Sequence, residues 1–156
     1  MNLSTGDRTK YPHFAQYVRY AIPKLADVPL IVKNVKKYGS LSAAQFKTAI
    51  TWKSNPLIII KDLNIHTCGA AGTGAWGCFR SASPNQLEVR KDLVESFETN
   101  MSAGTDNKNA KGKVVYVVGA TLLHDLCLWG NYKAGVAEAV EMGLAFEKAT
   151  YGKTIW

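Results

Sequence analysis

Between residues 12 and 38, apolar side chains recur every three or four positions. Phe14, Tyr17, Val18, Ala21 and Ile22 fall on one face, the spacing of a helix with one buried stripe. Pro23 and Pro29 break the run, so the pattern predicts two helices, about 12–22 and 27–38. Gly39 closes the second in the usual place for a left-handed cap. Ser40-Leu41-Ser42 opens a third helix carrying Phe46, Ala49 and Ile50, with Ser42 or Ser40 as its N-cap. Asn55-Pro56 stops that helix, and Leu57-Ile58-Ile59-Ile60 reads as a short buried strand.

The middle of the chain is less regular. Cys68 to Gly77 is rich in glycine and predicts a turn or loop, with Ala75 to Phe79 as a strand leaving it. Leu87 to Arg90 reads as another strand, and Leu93 to Thr99 fits strand or helix equally. Met101 to Gly112 has the composition of a surface loop. Lys113 to Trp129 is strongly apolar. Val114 to Val118 has strand character, but continuity with His124 favours a single buried helix, ended by Gly130-Asn131. Gly135 to Thr150 is a last helix, followed by a short tail. The sum is an α+β chain with helices first, a small mixed sheet in the middle and two helices at the end. At 156 residues it fits one domain, 1–156, with a real core.

The formal charge of +7 favours anionic partners, yet the lysines are scattered. The densest cluster is Lys33, Lys36 and Lys37, and no basic helix or aromatic-interleaved strand marks a nucleic-acid reader. Three cysteines cannot all pair. Cys68 and Cys78 flank the glycine-rich turn and could be bridged, although reduced thiols are the expectation for a cytosolic chain. Met1 to Lys10 is polar, so no secretory signal is expected there, and the apolar run Val114 to Leu123 is too short to span a bilayer. A chain of this kind that acts outside its producing cell needs a separate delivery route.

The chemistry concentrates at His124-Asp125-Leu126-Cys127-Leu128. A zinc-protease helix carries H-E-x-x-H, which puts two imidazoles one turn apart on one ion, with the glutamate as general base. Here the first histidine stands, Asp125 replaces the glutamate, and Leu128 occupies the second ligand position. Glu138 and Glu141 lie one turn apart downstream, where a third ligand could come from. Taken alone, a histidine on an apolar helix is more often a hydrogen-bonded core residue. The glycines of residues 69–77 lack Gly-Lys-Ser/Thr and the dinucleotide-binding order, so they read as a mobile loop or a flap beside a cleft. Cys68 next to His66 has no identifiable acid to complete a nucleophile.

Read with its flanks, the motif resembles a known family. His124 to Asn131, then Glu141-Met142-Gly143, Phe146-Glu147 and Tyr151-Gly152 resemble the metallopeptidase toxin domains of bacterial polymorphic and type VI secretion effectors. Those domains look like small zincins with H-E-L-x-H-W-G, then E-x-G-x-x-F-E and an aromatic-Gly pair. Tyr38-Gly39-Ser40, Asn55-Pro56 and the Gly-rich turn before Phe79 agree, so the likeness runs over roughly residues 30–156. It implies a zincin-like fold, a bound zinc, peptide-bond hydrolysis in a target cell, a secretion machine and an immunity protein. Residue by residue, it implies His124 and Glu141 as metal ligands, Glu138 as the alternative to Glu141, and Asp125 as the catalytic carboxylate. Glu147 becomes a supporting carboxylate behind the ligands.

The two departures are unequal. Aspartate keeps a carboxylate on a shorter stem, which limits its reach as a base. Leucine removes a ligand outright, while zinc sites keep at least three protein ligands. The expectation is an inactive or weakened peptidase, with His66 or His13 as the only substitute imidazoles. The alternatives are a pseudopeptidase that binds a target protein without cutting it, and a basic nucleic-acid-binding domain.

Overall fold

The structure is a computed structural model that describes residues 1–63, 75–99, 106–137 and 141–155. Among these, a four-stranded mixed sheet is built from β1 (Asn2–Leu3), β2 (Leu57–Lys61), β3 (Gly77–Cys78) and β4 (Gln86–Arg90). Its order is β1-β2-β4-β3, with β1 and β4 parallel to β2 and β3 antiparallel to β4. Among the described strands β3 thus lies at the edge. Ile58, Leu87 and Val89 are buried within the sheet. The α+β class expected from the sequence is the one observed.

Seven α-helices surround the sheet among the described residues: α1 (Thr5–Lys10), α2 (Pro12–Gln16), α3 (Pro29–Gly39), α4 (Ala43–Ile50), α5 (Lys91–Thr99), α6 (Val117–Lys133) and α7 (Met142–Tyr151). The N-terminal segment is more broken than its periodicity suggests. After α2 come a π-helical turn, Tyr17–Ala21, and a 3-10 helix, Ile22–Asp27, which accommodates Pro23 near its start. Pro29 opens α3 at its first turn, where a proline N–H would go unused. Ser42 caps α4 in a capping box with Gln45.

Four sequence expectations are corrected. Ser40, not Gly39, takes the left-handed backbone after α3, at φ 54°. Gly39 is required for contact instead: a Cβ there would stand 2.7 Å from the Cys127 Cα. The apolar run from Lys113 is not all helix. Val114–Tyr116 forms β6, paired antiparallel with β5 (Asp106–Lys108), and α6 begins at Val117. Nor does Gly130-Asn131 end α6, which runs on to Lys133. Gly130 lets α6 cross α3, since a Cβ would land on the Gly39 carbonyl oxygen, and Asn131 ties the crossing together by hydrogen bonds. Finally, reduced thiols are not general. Cys78 is disulfide-bonded, and disulfides persist mainly in oxidising compartments. Cys127 is buried at the α3–α6 crossing, and Cys68 lies outside the described residues.

The outcome is a central helix, α6, buried around most of its length and packed between α3, α7 and β4. This places His124 and Asp125 where the sheet edge, α6 and α7 meet.

Candidate active site

Glu141 is the N-cap of α7. Its Oε1 accepts the Gly143 N–H at 3.2 Å and its Oε2 the Leu144 N–H at 2.9 Å, satisfying donors that a helix start leaves open. The cap also turns the carboxylate toward α6, where Glu141 Oε1 stands 3.1 Å from His124 Nε2. One and a half turns on, Glu147 comes from the buried side of α7. Its Oε1 is 2.7 Å from His124 Nδ1, and its Oε2 accepts the Ile155 N–H at 2.7 Å. Glu147 therefore holds both the imidazole and the C-terminal tail. Gly143 is the residue that permits this approach, because a Cβ there would overlap the His124 ring.

Burial opposes charge on His124, but hydrogen bonds to Glu141 and Glu147 and the nearby Asp125 carboxylate outweigh it. Its pKa is pushed up to about 10. For Glu141, burial pushes upward, and the hydrogen bond and charge of His124 hold the pKa below the usual carboxylate range all the same. The trio is an imidazolium between two carboxylates.

Asp125 is 2% exposed, and its Oδ2 has no hydrogen-bond partner among the described residues. Burial raises its pKa to about 7, opposed by His124 and reinforced by Glu141, Glu147 and Glu88. The carboxylate is shielded by β3: a Cβ at Gly77 would land on Asp125 Oδ2. His124, Asp125 and Glu147 line one cavity of about 110 Å³, walled by Trp76 and Gly77 from the sheet edge, Thr121 from α6, and Thr154 and Ile155 from the tail. Sequence reasoning missed Thr121 and the tail, and offered Gly77 only as the end of a loop or a flap beside a cleft. The last glycine of the Gly-rich segment was the one signal available for Gly77.

The structure brings His124, Asp125, Glu141 and Glu147 together. Leu128 lines a different cavity, with Phe79, Ser81, Tyr132 and Val136. His13 bonds Glu98 on the N-terminal side of the molecule, which removes it as a substitute ligand in this arrangement. Glu138 and His66 lie outside the described residues. Among those described, no group of three or more His, Cys, Asp or Glu side chains converges to hold a metal ion.

A small α+β domain with a half-buried histidine beside a buried aspartate on its central helix, answered by glutamates from the next helix, has the outline of a zincin-like hydrolase. The family model of Metallopeptidase toxin 3 matches residues 7–152, and the chain belongs to that family, the toxin metallopeptidases of bacterial polymorphic toxins. No curated protein and no solved structure matches the chain.

The family implies a metal, most simply zinc. His124 Nε2 and Glu141 Oε1 are two suitable donors, and a carboxylate on the other ring nitrogen is the usual support for a metal-bound histidine. Zinc sites need at least three protein donors, and Leu128 offers none. The described residues thus do not complete a zinc site. Among the described residues no helix is long and apolar enough to cross a membrane.

Proposed function

We propose that residues 1–156 form one toxin metallopeptidase domain whose centre is weakened in this copy. In this reading Asp125 is the catalytic carboxylate, His124 and Glu141 are the metal-side donors, and Glu147 orients His124. The observation that carries it is the paired fate of one helix turn. His124 has a carboxylate on each ring nitrogen, while Leu128, one turn later, lines a separate neighbouring cavity. The unpartnered Asp125 Oδ2 supports a working role, since buried polar atoms are otherwise nearly always satisfied.

The substrate is a protein of a target cell. β3, an edge strand beside the cavity, suits an extended peptide added by main-chain hydrogen bonds. Delivery by a secretion system and neutralisation by an immunity protein belong to the same reading, and the disulfide at Cys78 agrees with work outside a reducing cytosol. One observation favours a second reading, a pseudopeptidase that binds its target: both ring nitrogens of His124 already face a carboxylate, Glu141 at Nε2 and Glu147 at Nδ1.

Zinc affinity measured by calorimetry on the purified domain and on Leu128→His tests the first reading. The substitution is expected to tighten zinc by at least about tenfold, since even partners standing behind a ligand are worth roughly 10–100-fold. Equal, near-zero zinc in both would remove His124 as a metal donor. The double variant Asp125→Glu/Leu128→His should also gain cleavage of an unfolded protein substrate. Zinc binding without cleavage or toxicity would favour the pseudopeptidase.

A further inference from the structure

We propose that the N-terminal face of the domain is a second binding surface, a basic groove that takes an acidic segment of a partner protein. Two hollows of about 380 and 360 Å³ adjoin there, sharing Gln16 and Tyr20 as their common wall. Neither shares a residue with the cavity at His124.

The groove is positively charged and uncompensated. Arg8, Arg19 and Lys53 line one hollow, Lys24 lines the other, and no aspartate or glutamate lines either. Among the described residues none of these four cations forms an ion pair with a carboxylate. By contrast, Lys61 and Arg80 both pair with Glu88, and Arg90 pairs with Asp92. The nearby acids are already engaged: Glu98 accepts the backbone N–H groups of His13 and Phe14, and Asp7 bonds the Ser4 hydroxyl.

The backbone that shapes the groove is unusual on both walls. One wall is the π-helical turn Tyr17–Ala21, a rare form that is frequent at functional sites. It presents Arg19 and Tyr20 in succession, with Tyr20 56% exposed. On the other wall Lys53 takes a left-handed backbone at φ 67°, a conformation that costs a non-glycine residue free energy. Neither distortion serves the cavity at His124.

The chemistry selects the occupant. Single-stranded nucleic acid needs open ring faces for base stacking. Here an arginine already occupies one face of each ring: the Arg8 guanidinium carbon lies 5.9 Å from the Trp52 ring centroid, and that of Arg19 lies 4.9 Å from the Tyr20 centroid. Arg8 spends Nε on the Ser4 carbonyl and Nη2 on the Thr5 hydroxyl, so it adds charge, while the Arg19 guanidinium, held against the Tyr20 ring, keeps its N–H fork for planar carboxylates. Arginine, tyrosine and tryptophan are also the residues that dominate protein–protein hot spots.

Binding of fluorescein-labelled oligoglutamate, followed by anisotropy in low salt, tests the proposal, with oligo(dT) as the competing probe. Oligoglutamate should bind saturably to the whole chain. Arg8→Glu/Arg19→Glu should weaken it at least about tenfold, and Lys33→Glu/Lys36→Glu on the exposed face of α3, an equal charge change, less than about twofold. Tyr20→Ala, which leaves the charge alone, should weaken it at least about threefold. Should the arginine pair fail to fold, Lys53→Glu with Tyr20→Ala carries the same test. The proposal is overturned by unsaturable binding, by equal loss in the two reversal pairs, by an unaffected Tyr20→Ala, or by tighter oligo(dT) binding lost in the same variants.

Discussion

Asn131 and Asp125 stand on the same helix and are equally buried, each 2% exposed. Asn131 is fully employed: its Nδ2 donates to the Tyr38 carbonyl at 2.8 Å, and its Oδ1 accepts the Ser40 hydroxyl at 2.7 Å. Asp125 leaves Oδ2 unpartnered against Gly77 and a cavity. The C-terminal half of α6 is built as a joint, with glycines at the crossing and its buried amide satisfied. The half that carries His124 and Asp125 gathers charge, raises a carboxylate pKa and keeps space beside it. Local polarity that folding alone would remove is the mark of a site, and one helix shows both solutions.

The joint should be the costlier half to disturb. Gly130→Val places a Cβ on the Gly39 carbonyl oxygen and further bulk against Leu41. Overpacking against backbone is expected to destabilise the domain by about 3 kcal/mol or more, read as a lower urea midpoint. A loss under about 1 kcal/mol would mean that the α3–α6 crossing is loose and the contrast between the two halves unfounded.

Much of this contrast was legible in the sequence, and the illegible part has a common cause. The third helix, β2 and β4 followed from local pattern and caps, because their burial and their propensity agree. The motif was legible from spacing and its answering glutamates from the resemblance, and the structure sets Glu141 and Glu147 on the two ring nitrogens of His124 beside Asp125. Gly39 and Gly130 were misread because glycine signals a helix end locally, whereas here it permits a close crossing known only from the tertiary partner. The β6–α6 junction was missed because a buried helix and a buried strand share the same apolar composition. Gly77 and the C-terminal tail reach the site only through the fold.

The imidazolium trio comes next in size. Glu147→Ala leaves the Ile155 N–H without its acceptor and His124 with one carboxylate. Breaking a buried charged hydrogen bond is expected to cost about 2–3 kcal/mol near neutral pH. The sign of the pH dependence follows from the raised pKa. His124 binds its proton more tightly folded than unfolded, so its contribution is complete below the unfolded value of 6.5 and is lost as pH rises toward about 10. Native stability measured between those limits should fall with pH, and the fall should shrink in Glu147→Ala. An unchanged slope would place the charge elsewhere.

The smallest effect is the most diagnostic for the half that carries chemistry. Burial raises the Asp125 pKa from 3.8 to about 7, so the folded state binds this proton more tightly than the unfolded chain does. The protonated Asp125 costs nothing below pH 3.8; the penalty for its ionisation grows as pH rises from 3.8 to about 7 and is fully present above that. Asp125→Asn removes that penalty and keeps the shape. The variant is expected to be more stable than the parent by about 1 kcal/mol at pH 8 and indistinguishable from it near pH 4. Paired urea melts at the two pH values decide the matter. Destabilisation at pH 8 would show that the carboxylate is satisfied after all and belongs with Asn131 as a structural residue. Stabilisation would show that the fold carries Asp125 at a cost, as expected of a residue kept for reactivity.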